Sequence, residues 1–387
     1  MISVLVVDDS IVVRRLISDA LGTAPDIEVV GTAANGRLAL QRVTQLAPAV
    51  ITMDIEMPEM NGIEAVRELR RTGVRTPIIM FSTLTASGAS ATLDALAAGA
   101  TDYVTKPANT GSVHASIAAV RDQLVPRIRA LGGRPARPAA APSRPVDGRP
   151  VRPPGPQVDG RRAPAGAPRP ARPAAPAAPR PGIGSGRIDV LAIGSSTGGP
   201  DALALVLGAL PATLAVPVVI VQHMPPLFTT MFAERLNRTL KLTVHEAAHD
   251  VPLVAGHVYI APGDRHLEVA RQGVGVRTRL TDAPAENSCR PAVDVLFRSV
   301  AAVYGRATVA TVLTGMGQDG RAGAEILRRA GAEIVAQDEA SSVVWGMPGA
   351  VVEAGLADQV KPLAAIGGYL AGRAGAARPL TGLAVGP

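Results

Sequence analysis

Aromatic side chains are scarce: Phe, Tyr and Trp together make up 2% of the 387 residues. A core built without them must rely on Val, Leu, Ile and Ala, and apolar residues reach 47% of the chain. That composition suits parallel strands covered by helices on both faces. Cysteine is limited to Cys289. A single thiol excludes a disulfide framework and fits a reducing interior. No apolar run approaches the length of a membrane span. Met1 leads directly into the strand-like run ISVLVV, without a signal-peptide pattern. A cytoplasmic protein without membrane insertion is expected. Charged residues are also few, at 18%, yet the formal net charge is +7.

That positive charge is local. Residues 132–187 hold eleven Arg and two Asp, a net of +9, so the remainder carries −2. The same stretch holds fifteen of the 34 prolines and no aromatic residue. Proline removes backbone donors and blocks helices, and the segment lacks the apolar surface to offset its ordering entropy. It reads as a disordered, partly polyproline-II linker. Without aromatics for base stacking, nucleic acid is not an expected partner.

On either side of this segment, strand-like runs alternate with helical patterns. In the first part, VLVV (4–7), VITM (50–53), PIIMFS (77–82) and DYVTKP (102–107) end at Asp8 and Asp9, Asp54, Ser82 and Lys106. In the second, IDVLAIG (188–194), VPVVIVQ (216–222), a run over 307–315 and AEIVAQD (332–338) repeat the pattern. An irregular insert over 242–290 contains HVYIAP, HLEVA and GVGVRT, read as a small antiparallel excursion. The expectation is an α/β chain with two doubly wound, mostly parallel-sheet domains.

In such sheets, function collects beyond the carboxyl ends of the strands. Asp8, Asp9 and Asp54 bring three carboxylates to one edge. That is costly unless a hard cation such as Mg2+ neutralises them. Lys106 offers a compact positive charge for a phosphoryl oxygen, and Ser82 a hydroxyl. Asp54 is then the nucleophile that accepts a phosphoryl group. VVDDS, MDIEMPEMNG and YVTKP resemble the response-regulator receiver family over nearly all of residues 1–125. The resemblance implies a flavodoxin-like domain phosphorylated at Asp54 by a histidine kinase. It implies Mg2+ held by Asp8, Asp9, Asp54 and the backbone carbonyl of Glu56. It makes Ser82 and Tyr103, with Lys106, the residues that rearrange on phosphorylation.

In the second part, Ser196 follows a strand and precedes Thr197-Gly198-Gly199-Pro200. The glycines allow a sharp turn, and Pro200 suits a helix start. A Gly-rich turn after a strand also binds phosphates, but neither common phosphate-loop pattern occurs. His223 and Asp319 each follow another strand. Alone, His223 suits a core histidine and Asp319 a helix cap. Together, opposite a glycine-flanked serine, they supply the base and orienting acid of a triad. IGSSTGGP, VIVQHMPP, VYIAPGDRHLEV, RPAVDVLFRSVA, LTGMGQDG and VVWGMPGAV resemble the catalytic domain of CheB-type protein-glutamate methylesterases. The resemblance implies a Rossmann-like domain with Ser196 as nucleophile, His223 as base, Asp319 as orienting acid and the Met316 N–H as oxyanion donor. It implies hydrolysis of glutamyl methyl esters, and deamidation of glutamines, on methyl-accepting chemoreceptors. No cofactor is expected in this half. The division is 1–125 receiver, 126–187 linker, 188–370 methylesterase and 371–387 flexible tail, in a monomer whose unphosphorylated receiver packs over the catalytic edge.

Three departures and one coincidence remain, the first being a linker unusually long for the family, which is expected to weaken docking of the two domains by lowering their effective concentration. Ser195 stands where the family usually has Ala, and Cys289 where many members have His. Cys289 follows no strand end, has no base near it in sequence, and is expected to leave the triad untouched. His245-Glu246-Ala247-Ala248-His249 spells a zinc-protease signature. That motif needs a helix, and here a strand-like run precedes it and Pro252 follows. The competing functions are a serine esterase on another substrate and a response regulator whose basic linker binds nucleic acid.

Overall fold

The structure, a computed structural model, describes residues 1–107, 113–133 and 186–375. The Arg/Pro-rich segment from 134 to 185 and the tail from 376 onward lie outside the described residues. Among those described, no helix is long and apolar enough to cross a membrane.

The first unit alternates β1 (Ile2–Val7), α1 (Ile11–Gly22), β2 (Ile27–Ala33), α2 (Gly36–Leu46), β3 (Val50–Asp54), α3 (Gly62–Arg71), β4 (Ile78–Ser82), α4 (Ala86–Ala97), β5 (Asp102–Thr105) and α5 (Val113–Gly132). All strands are parallel, in the order β2-β1-β3-β4-β5. Every residue of β3 and β4 is buried, as expected for strands covered on both faces. Helix starts follow local chemistry. Asn35 caps α2, and Asn61 with Glu64 forms a reciprocal capping box on α3, each such cap being worth about 1 kcal/mol.

One boundary differs from the sequence reading. Helix α5 continues through Gly132 with Pro126 inside it, beyond the expected end at 125. Proline removes one helical hydrogen bond, but Ile128 and Leu131 beyond it are 0% and 5% exposed. Their burial holds the last turns in place.

The second unit contains β6 (Val190–Ser195), α6 (Gly199–Gly208), β7 (Val218–Gln222), α7 (Phe228–Thr239), β8 (Thr243–Glu246), β9 (His257–Ile260), β10 (His266–Gln272), β11 (Gly275–Thr281), α8 (Val293–Tyr304), β12 (Thr308–Val312), α9 (Arg321–Arg329), β13 (Glu333–Gln337), α10 (Met347–Glu353), β14 (Gln359–Lys361) and α11 (Leu363–Ala374). Seven strands form one parallel sheet in the order β14-β13-β12-β6-β7-β9-β8. The antiparallel excursion is only the β10–β11 hairpin. The run HVYIAP, read as part of the insert, instead supplies β9, which extends the main sheet. The order reverses at β6, whose neighbours are β7 and β12. Ligand sites form at such a switch point, beyond the strand ends.

Phe297 on α8 is fully buried among Val190, Ala192, Ala310 and Val312. Phe297→Ala is expected to destabilise the second unit by about 3–5 kcal/mol. Urea unfolding followed by circular dichroism measures this, and a loss under about 1 kcal/mol would contradict the packing described.

Candidate active site

At the carboxyl edge of the first sheet, Asp8 and Asp54 are 0% and 4% exposed, while Asp9 is exposed. The carboxylate atoms of all three lie within 4.8 Å of one another. Lys106 Nζ stands 2.8 Å from Asp54 Oδ2 and 3.5 Å from Asp8 Oδ2. Burial, reinforced by the nearby Asp8 and opposed by Lys106, raises the Asp54 pKa to about 6. Burial likewise raises that of Asp8. Asp8 Oδ2 is buried without a hydrogen-bond partner. A buried anionic oxygen that accepts no hydrogen bond, among three carboxylates facing a single lysine, fits a hard divalent cation. Asp9 and Glu56 line one shallow depression beside this edge. The Ser82 hydroxyl is tied to α4: it accepts from Thr92 Oγ1 at 2.6 Å and donates to the Gly88 carbonyl at 3.1 Å.

The second edge is assembled at the switch point. Ser196 directly follows β6, and its N–H donates to the Thr314 carbonyl at 3.0 Å. Gly198 then takes φ +75°, and α6 begins at Gly199, with Pro200 in its first turn. Gln222, at the end of β7, fastens this turn. It accepts from Ser195 Oγ at 2.7 Å and donates to the Ser196 carbonyl at 2.9 Å. The unusual Ser195 thus orients the side chain that holds the backbone of Ser196. A Cβ on Gly199 would stand 1.9 Å from Gln222 Oε1 and would displace the amide that fastens this turn.

His223 follows β7, and its Nε2 lies 2.8 Å from Asp319 Oδ2. A carboxylate only accepts, so Nε2 carries the proton and Nδ1 is the other functional atom. Asp319 is 2% exposed. Its Oδ2 also accepts from the Val293 N–H at 2.7 Å. Its Oδ1 accepts from the N–H groups of Asp294 and Gly320 at 3.0 and 2.9 Å, and from Asn287 Nδ2 at 3.1 Å. Two of these donors open α8, where the helix dipole favours a negative charge. Despite burial, the bond to His223 and the backbone donors hold the Asp319 carboxyl below the usual range. Burial also opposes the charged imidazole, but the bonds to Asp319 and to Cys289 outweigh it and raise the His223 pKa to about 9.

The Cys289 contact corrects the sequence reading. Cys289 Sγ lies 3.6 Å from His223 Nδ1. The thiol therefore has a base beside it and touches the triad residue it was expected to leave alone. The two residues lie far apart in the chain, and the loop before α8 brings them together. Ser196 lines the same cleft as His223 and Cys289, but no hydrogen bond joins its Oγ to the ring. Gly315, just before Met316, passes close to Ser196: a Cβ on it would stand 2.9 Å from Ser196 Cβ. Asn287, Asp294 and Gln222 were not singled out from sequence. Their roles come from backbone geometry that no local pattern announces. The zinc-protease coincidence dissolves. His245 lies on β8 and pairs with His257 of β9 at 2.9 Å, while His249 Nδ1 accepts from the Leu280 N–H at 3.1 Å.

The first unit covers this cleft of about 400 Å³, which Tyr103, Gln123 and Arg127 line from the opposite side. The Tyr103 ring stacks on Phe228, with centroids 4.8 Å apart and planes at 4°. Asp102 Oδ2 accepts from Thr197 Oγ1 at 2.9 Å and from Arg127 Nε at 3.1 Å. Arg235 pairs with Asp94 at 2.6 Å. Val344 joins the apolar cluster of α1 and α5, with Met316 and Val343 packed against it.

Comparison with known proteins agrees with this architecture. The response regulator receiver domain family matches residues 4–118, and the CheB methylesterase family matches residues 191–370. A protein-glutamate methylesterase/protein-glutamine glutaminase from a Nocardioides species is 56% identical over 380 residues, covering 98% of this chain and 97% of the relative. One of the same name from Trichodesmium erythraeum is 45% identical, covering 93% and 95%. The crystal structure of the Thermotoga maritima CheB methylesterase catalytic domain is 43% identical, covers 48% of this chain and 97% of that one, and has a TM-score of 0.47. The chain belongs to the CheB methylesterase family, in the form that carries a response regulator receiver domain ahead of the catalytic domain.

Proposed function

We propose that this enzyme hydrolyses glutamate γ-methyl esters, and deamidates glutamines, on methyl-accepting chemoreceptors in the cytoplasm, through Ser196, His223 and Asp319. The observation that carries the reading is the bond between His223 Nε2 and a deeply anchored Asp319, beside the cleft that Ser196 lines. Asp319 fixes the ring so that Nδ1 faces the cleft. Nδ1 takes the proton of Ser196 Oγ as that oxygen attacks the ester carbonyl. The tetrahedral oxyanion is received by the Met316 N–H, in the loop that Gly315 brings against Ser196. The imidazolium then protonates the methoxide, methanol leaves, and water cleaves the acyl-enzyme with Nδ1 again as base. Deamidation follows the same steps with ammonia leaving.

Residues 1–125 act as the receiver and 188–370 as the hydrolase. Asp54 accepts the phosphoryl group from a histidine kinase. Asp8, Asp9, Asp54 and the Glu56 carbonyl would hold Mg2+, which would supply positive charge beside Asp54 and so lower its repulsion toward a phosphoryl group. The described arrangement is the resting form. The receiver covers the cleft, His223 is largely protonated near neutral pH, and Cys289 stands where Ser196 must approach Nδ1. Phosphorylation draws Ser82 from Thr92 and Lys106 toward the phosphoryl oxygens. Tyr103 then leaves Phe228, and the population shifts toward an open form.

Three outcomes follow. Ser196→Ala lowers methanol release from methylated receptor by about 10³-fold or more, and release at the wild-type rate removes Ser196 from catalysis. Tyr103→Ala weakens the closed form by about 1–2 kcal/mol, so unphosphorylated activity rises roughly 5–30-fold. An unchanged resting rate would show that this contact does not restrain the enzyme. An NMR titration of the full chain places the His223 pKa near 9, above its ordinary value of about 6.5. The stabilisation by its partners is complete below about 6.5 and is lost as pH rises through about 9. Asp319→Asn lowers that pKa, and a wild-type value near 6.5 would contradict the contacts described.

A further inference from the structure

The geometry points to an inhibitory site for a thiophilic divalent cation, Zn2+, held by Cys289 Sγ and His223 Nδ1. The site itself stands on geometry alone; its inhibitory effect rests on the proposed role of Nδ1 in catalysis. The ligand atoms of His223, Cys289 and Asp319 lie within 4.8 Å of one another. The decisive distance is the 3.6 Å between Sγ and Nδ1. A tetrahedral zinc with sulfur at ~2.3 Å and nitrogen at ~2.0–2.1 Å sets those two atoms about 3.6 Å apart. The pair therefore stands at the required separation without moving the backbone.

The surroundings complete a metal-binding arrangement. A ligating histidine ordinarily donates its other ring N–H to a carboxylate, which fixes the tautomer and raises the basicity of the ligating nitrogen. His223 Nε2 does this to Asp319. Asp319 is itself locked by the N–H groups of Val293, Asp294 and Gly320 and by Asn287, so the ring cannot turn away from Cys289. The thiol is partly exposed and lines the cleft, which gives a path of entry. Two coordination positions remain for water, facing the space beside Ser196.

Binding displaces the thiol proton and any proton on Nδ1, so two protons leave at most, and affinity rises with pH. The cation then occupies the lone pair that receives the Ser196 proton. Nothing is oxidised and no bond to carbon changes, so a chelator reverses the inhibition. The cation is an inhibitor here, distinct from a catalytic cofactor. The paired His245 and His257 and the acidic edge around Asp54 offer no sulfur, which separates those positions spectroscopically.

The test uses the metal-free full chain in excess Mg2+, titrated with Co2+ as the probe and Zn2+ as competitor. The expected result is a thiolate-to-cobalt charge-transfer band that saturates at one equivalent, disappears on adding Zn2+, and is absent in Cys289→Ala and Cys289→Ser. Zinc affinity, read by competition with a chelating dye, falls about tenfold or more in both variants and by about 10–100-fold in Asp319→Asn. Zn2+ suppresses methanol release from methylated receptor by the wild-type chain, and a chelator restores it. No thiolate band, or equal zinc affinity in the Cys289 variants, overturns the site. A band with methanol release undiminished overturns the inhibition, by taking Nδ1 of His223 out of the proposed chemistry, while the cation site stands.

Discussion

The catalytic edge depends on one buried carboxylate. Asp319 accepts hydrogen bonds from three backbone N–H groups, one asparagine amide and the imidazole of His223. An ionised carboxylate inside a protein is tolerated only when its lone pairs are filled, and here they are. Two of the donors belong to the first turn of α8, so the fold places partial positive charge under the acid before any substrate arrives. That anchorage holds the ring of His223 through Nε2 and leaves Nδ1 beside Cys289, the atom to which the proposed chemistry brings Ser196.

The two carboxyl edges answer a single electrostatic problem in different ways. In the receiver, three acids crowd together with one lysine, and Asp8 Oδ2 accepts no hydrogen bond and has only Lys106 at 3.5 Å to offset its charge. That arrangement leaves the negative charge of this edge only partly offset by the chain itself. In the catalytic unit the acid is saturated internally, and the base beside it becomes the responsive element. The contact between the units joins these two logics. Asp102 is buried with Arg127 on its own unit and Thr197 on the other, and Thr197 is the residue after Ser196. Lys106 and Tyr103 lie within four residues of Asp102, so the proposed rearrangement has a direct hydrogen-bonded route to the turn that carries Ser196.

Much of this was legible in the sequence. Fully buried parallel strands leave continuous apolar runs, and the polar residues just past them are the ones the sheets gather at their edges. Asp8, Asp54 and Lys106 meet at one edge, and His223 meets Asp319 at the other. Less legible were features made by loops and helix starts. Nothing in the run ENSC announces that Cys289 will face His223, because a loop conformation rather than a periodic element brings it there. The grip of α8 on Asp319 uses backbone N–H groups, which every residue possesses. The last receiver helix runs past the expected end at 125 because burial of Ile128 and Leu131 holds the turns beyond Pro126. The register of β9 was hidden because a short apolar run reads alike in parallel and antiparallel pairing.

In the proposed regulation, receiver phosphorylation at Asp54 releases an esterase whose cleft the same receiver covers at rest. The most direct measurement is methanol release from methylated receptor by the full chain, with and without a small phosphodonor, beside Asp54→Ala. The phosphodonor is expected to accelerate the wild-type chain and to leave Asp54→Ala at its resting rate. Equal rates for the wild-type chain in both conditions, at demonstrated phosphorylation of Asp54, would contradict it.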